Sequence, residues 1–148
     1  MQMNSDICKD VMHSEKLTCV IADENEIIFK SDKKGIVPML EFLDLYQEKG
    51  LKPVYQADRI IGKAAVIIAA HCGISEIYAD VVSQSAMNIA CEKGITVYCD
   101  QLVEMILNPA KTKEGPFEAA LHDVDPEDFE KVLETVRKTL AEIKAMKK

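Results

Sequence analysis

The sequence predicts an α/β fold: a three-layer α/β/α arrangement on a mixed sheet, opening with an antiparallel hairpin and closing with a long helix. Three observations lead there. Two apolar runs rich in β-branched residues, 17–23 and 26–31, are separated only by Glu24-Asn25, which is hairpin spacing. Strand-like and helix-like segments then alternate across links of a few residues, and such tight strand-helix-strand units imply parallel strands with right-handed crossovers. Last, the segment that begins at Asp125-Pro126-Glu127 carries Phe129, Val132, Leu133, Val136, Leu140 and Ile143 on one helical stripe that must be buried.

Taken in order, residues 6–14 read as a short helix ahead of the hairpin. Residues 35–48 place Ile36, Leu40, Leu43 and Tyr46 at helical spacing, with Pro38 near the start and Gly50 just past the end. The extended piece LKPVYQ leads into a second helix over 58–72, closed by Gly73. Residues 74–81 read as a strand, 83–93 as a helix closed by Gly94, and 95–100 as another strand. Residues 101–108 read as helical, and 108–116 as a polar loop without apolar periodicity, the best candidate for a lid. Gly62 falls inside the second predicted helix, where glycine costs about 1 kcal/mol relative to alanine; something, most simply a neighbouring helix, packs closely against it.

The 148 residues are read as one domain, 1–148, with an N-terminal helix in 1–16, a core in 17–124 and a C-terminal helix in 125–148. Apolar residues at 48% and charged residues at 29% are ordinary for a globular chain. The longest apolar run, 64–70, falls far short of the roughly 20 residues that span a bilayer. The N-terminus lacks the basic and apolar regions of a signal peptide, so a cytoplasmic protein with no membrane partner is expected. Cys8, Cys19, Cys72, Cys91 and Cys99 form an odd set without a C-x-x-C pair and read as reduced thiols. A net charge of −7 and the lack of a basic stripe interleaved with aromatics argue against nucleic acid as a partner.

The block VYQADRIIGKAAVIIAAHCGISEIYADVVSQSAMNIACEKGITVYC resembles the core of the cytidine-deaminase-like superfamily. More narrowly, residues 17–123 resemble the prokaryotic family called domain of unknown function 1893, through ADRIIGKAA, IYADVVSQSA and the loop ending in GPFE. The resemblance implies a deaminase-like mixed sheet with two helix N-termini converging on one pocket. In deaminases His-Ala-Glu or Cys-Ala-Glu opens one of those helices and Pro-Cys-x-x-Cys the other. Thiolates and imidazole hold zinc there, and the glutamate moves the proton. On that pattern the ligand positions of this chain are Gln56, Ser83 and Ala86, with Asp58 in place of the glutamate. An amide, a hydroxyl and a methyl group make no zinc site, so no metal, no cofactor and no ordinary zinc deamination are expected.

The resemblance makes Gln56, Asp58, Arg59, Ser83, Ser85 and Glu118 the candidate ligand-binding residues. Each has a structural alternative. Ser83 precedes an apolar helical run and is first of all an N-cap, worth about 1 kcal/mol. Asp58 reads equally as a helix-start carboxylate favoured by the dipole. Glu118, after Gly115-Pro116-Phe117, is either a first-turn carboxylate or the closing wall of a pocket. Gly62-Lys63 imitates G-x-x-x-x-G-K-[ST], but Ala57 and Ala64 stand at the two ends, so Lys63 reads as a solvated or salt-bridged lysine. His71-Cys72 is read as a core-edge pair, since adjacent helical residues point about 100° apart. His13 and His122 lack ligand spacing.

The expected activity is binding of a small polar or nucleotide-like molecule at the paired helix starts, where backbone N–H groups favour an anionic or strongly accepting group. Two other classes compete with it. One is a hydrolase or transferase using Asp58 as acid/base with Lys63 or Glu118 assisting; the other is a structural or partner-binding protein acting through the C-terminal helix. The stripe from Phe129 to Ile143 also raises the expectation of a homodimer.

Overall fold

The computed structural model describes residues 3–106 and 115–146. Its first helix, α1 (Ser5–Ser14), is capped by Asn4, whose side chain accepts from the Ile7 N–H at 2.9 Å. Strands β1 (Cys19–Ala22) and β2 (Ile27–Ser31) form the antiparallel hairpin. The Asp23 carboxylate turns it by accepting from the N–H groups of Asn25 and Glu26, both at 2.8 Å. Helix α2 (Val37–Lys49) has Pro38 in its first turn and ends on Gly50 at φ 62°, a left-handed conformation that glycine adopts without strain. Strand β3 (Tyr55–Ile61), helix α3 (Lys63–Cys72), strand β4 (Glu76–Ser83), helix α4 (Gln84–Glu92) and strand β5 (Thr96–Val103) follow, then the short α5 (Pro116–Ala120) and α6 (Phe129–Met146).

The five strands form one mixed sheet in the order β2-β1-β3-β4-β5. β1 is antiparallel to both neighbours, whereas β3, β4 and β5 run parallel. Alternation along β1 divides the core: Cys19 and Ile21 join α2, α3, α4 and α6 on one face, while Val20 and Ala22 meet Cys8 and Met12 of α1 on the other. The larger core takes in nearly the whole of α3, where Val66, Ile68 and Ala69 are fully buried.

Two predicted elements need correction. The helix expected over 58–72 begins only at Lys63, and Gln56, Asp58 and Arg59 belong to strand β3. Short apolar runs on either side of Gly62 hide that boundary from periodicity alone, and pairing with β1 and β4 fixes 55–61 as strand. Gly62 is therefore the N-cap of α3, in extended backbone (φ −109°, ψ −177°), and not a residue of the helix interior. The helix expected over 101–108 is also displaced: residues 101–103 extend β5, paired with Val81, Val82 and Ser83 of β4. Tertiary pairing overrides the local pattern there. Of the candidate lid, 108–114 lies outside the described residues, and Gly115 is tied back by its N–H to the Ile106 carbonyl at 2.8 Å.

Most of the α6 stripe packs within the chain itself. Val132 and Val136 are about 1% exposed, Phe129, Leu133 and Leu140 pack on the main core, and the Phe129 ring stacks on His71 at 3.7 Å. That packing covers the stripe from Phe129 to Leu140, and Ile143 beyond it is half-buried. Among the described residues no helix is long and apolar enough to cross a membrane.

Candidate functional site

A cleft of about 480 Å³ opens where β3 ends and α3 begins. Ile36, Ile60, Ala64, Ala65, Ile106, Pro116 and Phe117 give it apolar walls, and Thr18, Lys34, Asp58, Arg59, Lys63 and Glu118 supply polar groups. Ile60 is 55% exposed, an unusual position for a large aliphatic side chain next to a core. It lies on the open wall of the cleft, which leaves it in contact with solvent.

Asp58 is one of two buried acids that line the cleft, 9% exposed beside Glu118 at 8%. One carboxylate oxygen accepts from the Arg59 N–H at 2.8 Å and the other from the Gln56 amide at 3.2 Å. Burial strips water from the carboxylate and pushes its pKa up to about 7, because these hydrogen bonds offset only part of the lost hydration. Gln56 is fully buried; its amide nitrogen also donates to the Met39 sulfur at 3.4 Å, while its carbonyl oxygen has no partner among the described residues. Cys19, opposite Asp58 on β1, has its thiol pushed up by burial and then by the adjacent carboxylate.

The N-termini of α3 and α4 do converge, and what lies between them is the chain's own Glu118. Its carboxylate, on a residue 8% exposed, accepts from the Lys63 N–H at 2.9 Å, from the Ser83 hydroxyl at 3.3 Å and from the Ser85 hydroxyl at 2.8 Å. Ser83 caps α4 by accepting from the Ala86 N–H at 3.1 Å. Gly62 is required by this arrangement: a Cβ there would stand 2.6 Å from the Glu118 Oε1. The close packing anticipated at Gly62 is thus real, with a carboxylate as the neighbour. The Lys63 ammonium donates to the Leu121 carbonyl at 3.3 Å, which ties α3 to the end of α5.

The candidate residues therefore divide into groups. Ser83, Ser85 and Glu118 are brought together, while Asp58 and Gln56 form a separate pair on β3. Asp58 is not a helix start, since three residues separate it from the Gly62 cap, so pairing it with Ser83 as two helix starts is corrected. Arg59 borders the cleft, but its guanidinium is spent elsewhere, donating to the carbonyls of Leu17 and Met12 and to Asp80 at 2.9, 3.3 and 3.2 Å. Burial would raise the Asp80 carboxyl, but hydrogen bonds from Tyr78, His13 and Arg59 outweigh it and hold the group below its usual range. Sequence reasoning missed Lys34, Thr18, Ile36, Ile60, Ile106 and Phe117 as cleft residues. Ile60 and Phe117 fall inside the segments ADRIIGKAA and GPFE, whereas Thr18, Lys34, Ile36 and Ile106 belong to no such segment; the six meet only through tertiary folding.

An α/β protein with a mixed five-stranded sheet, and with a cleft of small-molecule size beside a buried acid, is the class that fold and site define. The model of the family "Domain of unknown function (DUF1893)" matches residues 7–140, and the chain belongs to that family. The crystal structure of a DUF1893 family protein from Thermotoga maritima matches with a TM-score of 0.74 at 22% identity, over 93% of this chain and 88% of that one. At that identity the likeness speaks for the fold alone. No curated protein matches the chain.

Proposed function

We propose that the protein binds a small molecule in the cleft at Asp58, on a deaminase-like framework that does not carry out zinc-dependent deamination. The observation that carries this reading is Asp58 itself. A carboxyl that is almost fully buried, held by two donors and still facing an open, largely apolar cleft is costly for the fold, and such groups concentrate at functional sites. The cleft volume falls in the range of roughly 300–1,000 Å³ typical of small-molecule sites. The hairpin, the three parallel strands and the meeting of the α3 and α4 N-termini support the deaminase-like part. Zinc does not fit that meeting point, because Gly62, Lys63, Ser83, Ser85 and Glu118 offer neither thiolate nor imidazole.

A second reading, zinc-independent acid/base catalysis, is favoured by one feature: a carboxyl with pKa about 7 can both give and take a proton near neutral pH. A thermal-shift screen of a metabolite library against wild type and Asp58→Asn separates these. A binding protein gains stability from one compound class and leaves it unchanged on incubation, whereas an enzyme converts it. Binding at Asp58 predicts a large loss of the response in the variant. A library that stabilises neither protein, or both equally, overturns the assignment of Asp58.

A further inference from the structure

The two edges of the sheet are protected differently. Strand β2 is five residues long and carries Lys30, which pairs with Glu15, and a short edge strand bearing lysine is a poor template for another chain. Strand β5 closes the other edge with eight residues and offers neither lysine nor proline. Its one charge, Asp100, lies 3.0 Å from the Tyr78 hydroxyl. The Thr96 N–H points inward, to the Ser75 carbonyl at 3.0 Å. Backbone groups alternate in direction along a strand, so Val97 and Cys99 turn theirs away from the sheet, where they meet no partner among the described residues. Five large apolar side chains are exposed among the described residues, and three of them, Tyr98, Leu102 and Met105, lie on β5 or just past its end. Helix α1 packs on β1, β3 and β4 and leaves Tyr98 53% exposed.

An unguarded edge of this length is a template for a further strand. We infer that the chain forms a homodimer in which β5 of one copy pairs antiparallel with β5 of a second, joining the two sheets into one. In an antiparallel ladder, outward-turned residues must face outward-turned residues, so the two-fold axis passes through a residue and not between two. An axis at Asp100 sets two carboxylates directly opposite, which is unfavourable. An axis at Tyr98 matches only residues 96–100 of the strand, whereas one at Cys99 matches 96–102. The Cys99 axis places Asp100 opposite Tyr98 of the second copy, so no like charges meet. The second copy is the occupant because it supplies an edge of equal length and matching chemistry. Two-fold pairing also consumes both β5 edges and leaves only the guarded β2 edges at the ends, so assembly stops at two.

The test combines mass with amide exchange on the full chain. Light scattering at about 100 µM, where mass action favours association, should give twice 16.5 kDa. The N–H groups of Val97 and Cys99 should exchange at least roughly 10-fold more slowly there than at about 1 µM. Tyr98→Asp sets a like charge against Asp100 of the second copy and should give a 16.5 kDa monomer with an unchanged circular dichroism spectrum. Tyr98→Lys, opposite the same carboxylate, should remain a dimer. If Tyr98→Asp fails to fold, the exchange of Val97 and Cys99 in the wild type and the mass of Tyr98→Lys decide. A wild type of 16.5 kDa, with or without a foreign strand bound at β5, would overturn the proposal. So would a dimer in which Val97 and Cys99 exchange fast at both concentrations, since another face would then hold it. Two variants that both dissociate, or both stay dimeric, would overturn the alignment on Cys99.

Discussion

A carboxyl group on a buried strand is an expensive choice, and Asp58 shows where the expense lies. Its pKa of about 7 lies above the 3.8 of a solvated aspartate, so protonation favours the folded state. Stability is fully present below about pH 4 and is lost as pH rises through about 7, by roughly 4 kcal/mol at most if the group stays desolvated. Asp58→Asn should flatten that decline in urea denaturation measured from pH 4 to pH 8. An unchanged pH profile in the variant would mean that Asp58 titrates as an ordinary surface acid. The sequence marked Asp58 as a candidate but placed it at the start of a helix. The residues that make it unusual, Gln56 beside it and Cys19 across the sheet, become visible only through strand pairing.

At the scale of elements, the point where α3 and α4 begin is held together by one side chain of α5. Helix N-termini attract anions because their first N–H groups lack partners; Glu118 takes the Lys63 N–H of α3, and at α4 it takes the hydroxyls of Ser83 and Ser85 while Ser83 caps the Ala86 N–H. Glu118→Ala should cost about 1–3 kcal/mol, as expected when buried donors lose their acceptor. Millimolar acetate should restore part of that loss by occupying the vacated position; a variant indifferent to acetate would mean that Glu118 acts through packing alone. Gly62→Ala should be destabilising in the wild type by roughly 1–3 kcal/mol, since its Cβ would meet the Glu118 carboxylate at 2.6 Å. In the Glu118→Ala background that cost should fall by at least half, a coupling that a double-mutant cycle measures. Additive losses would contradict the contact. Of this cluster the sequence showed Ser83 as a cap and Glu118 as a choice between two roles. It could not show that both roles are filled at once, because α5 follows a stretch with no periodicity to fix its position.

For the molecule as a whole, the hairpin, the parallel strands and the long last helix were legible because each follows from local pattern and short connections. The limits of β3 and β5 were not, since there the deciding interactions lie between strands. The apolar stripe of α6 was legible as a face needing cover, and the cover is α3 and α5. Leu140→Glu is accordingly expected to lower stability by roughly 1–3 kcal/mol with no change of mass in light scattering. A changed mass at unchanged stability would instead assign the stripe to a partner. On this scaffold the cleft is assembled from the end of β3, the starts of α3 and α5 and the link before α2, and Ile36, Ala64 and Ala65 on its wall belong to the main core as well.

Ligand binding at Asp58 is read out by a carboxyl ¹³C NMR titration of that residue, alone and with the compound that gives the largest thermal shift. A midpoint near pH 7 that moves when the compound is bound is the predicted result. A midpoint near 4, unaffected by any stabilising compound, would contradict the account: Asp58 would then be a solvated acid, and the cleft beside it would not be the binding site.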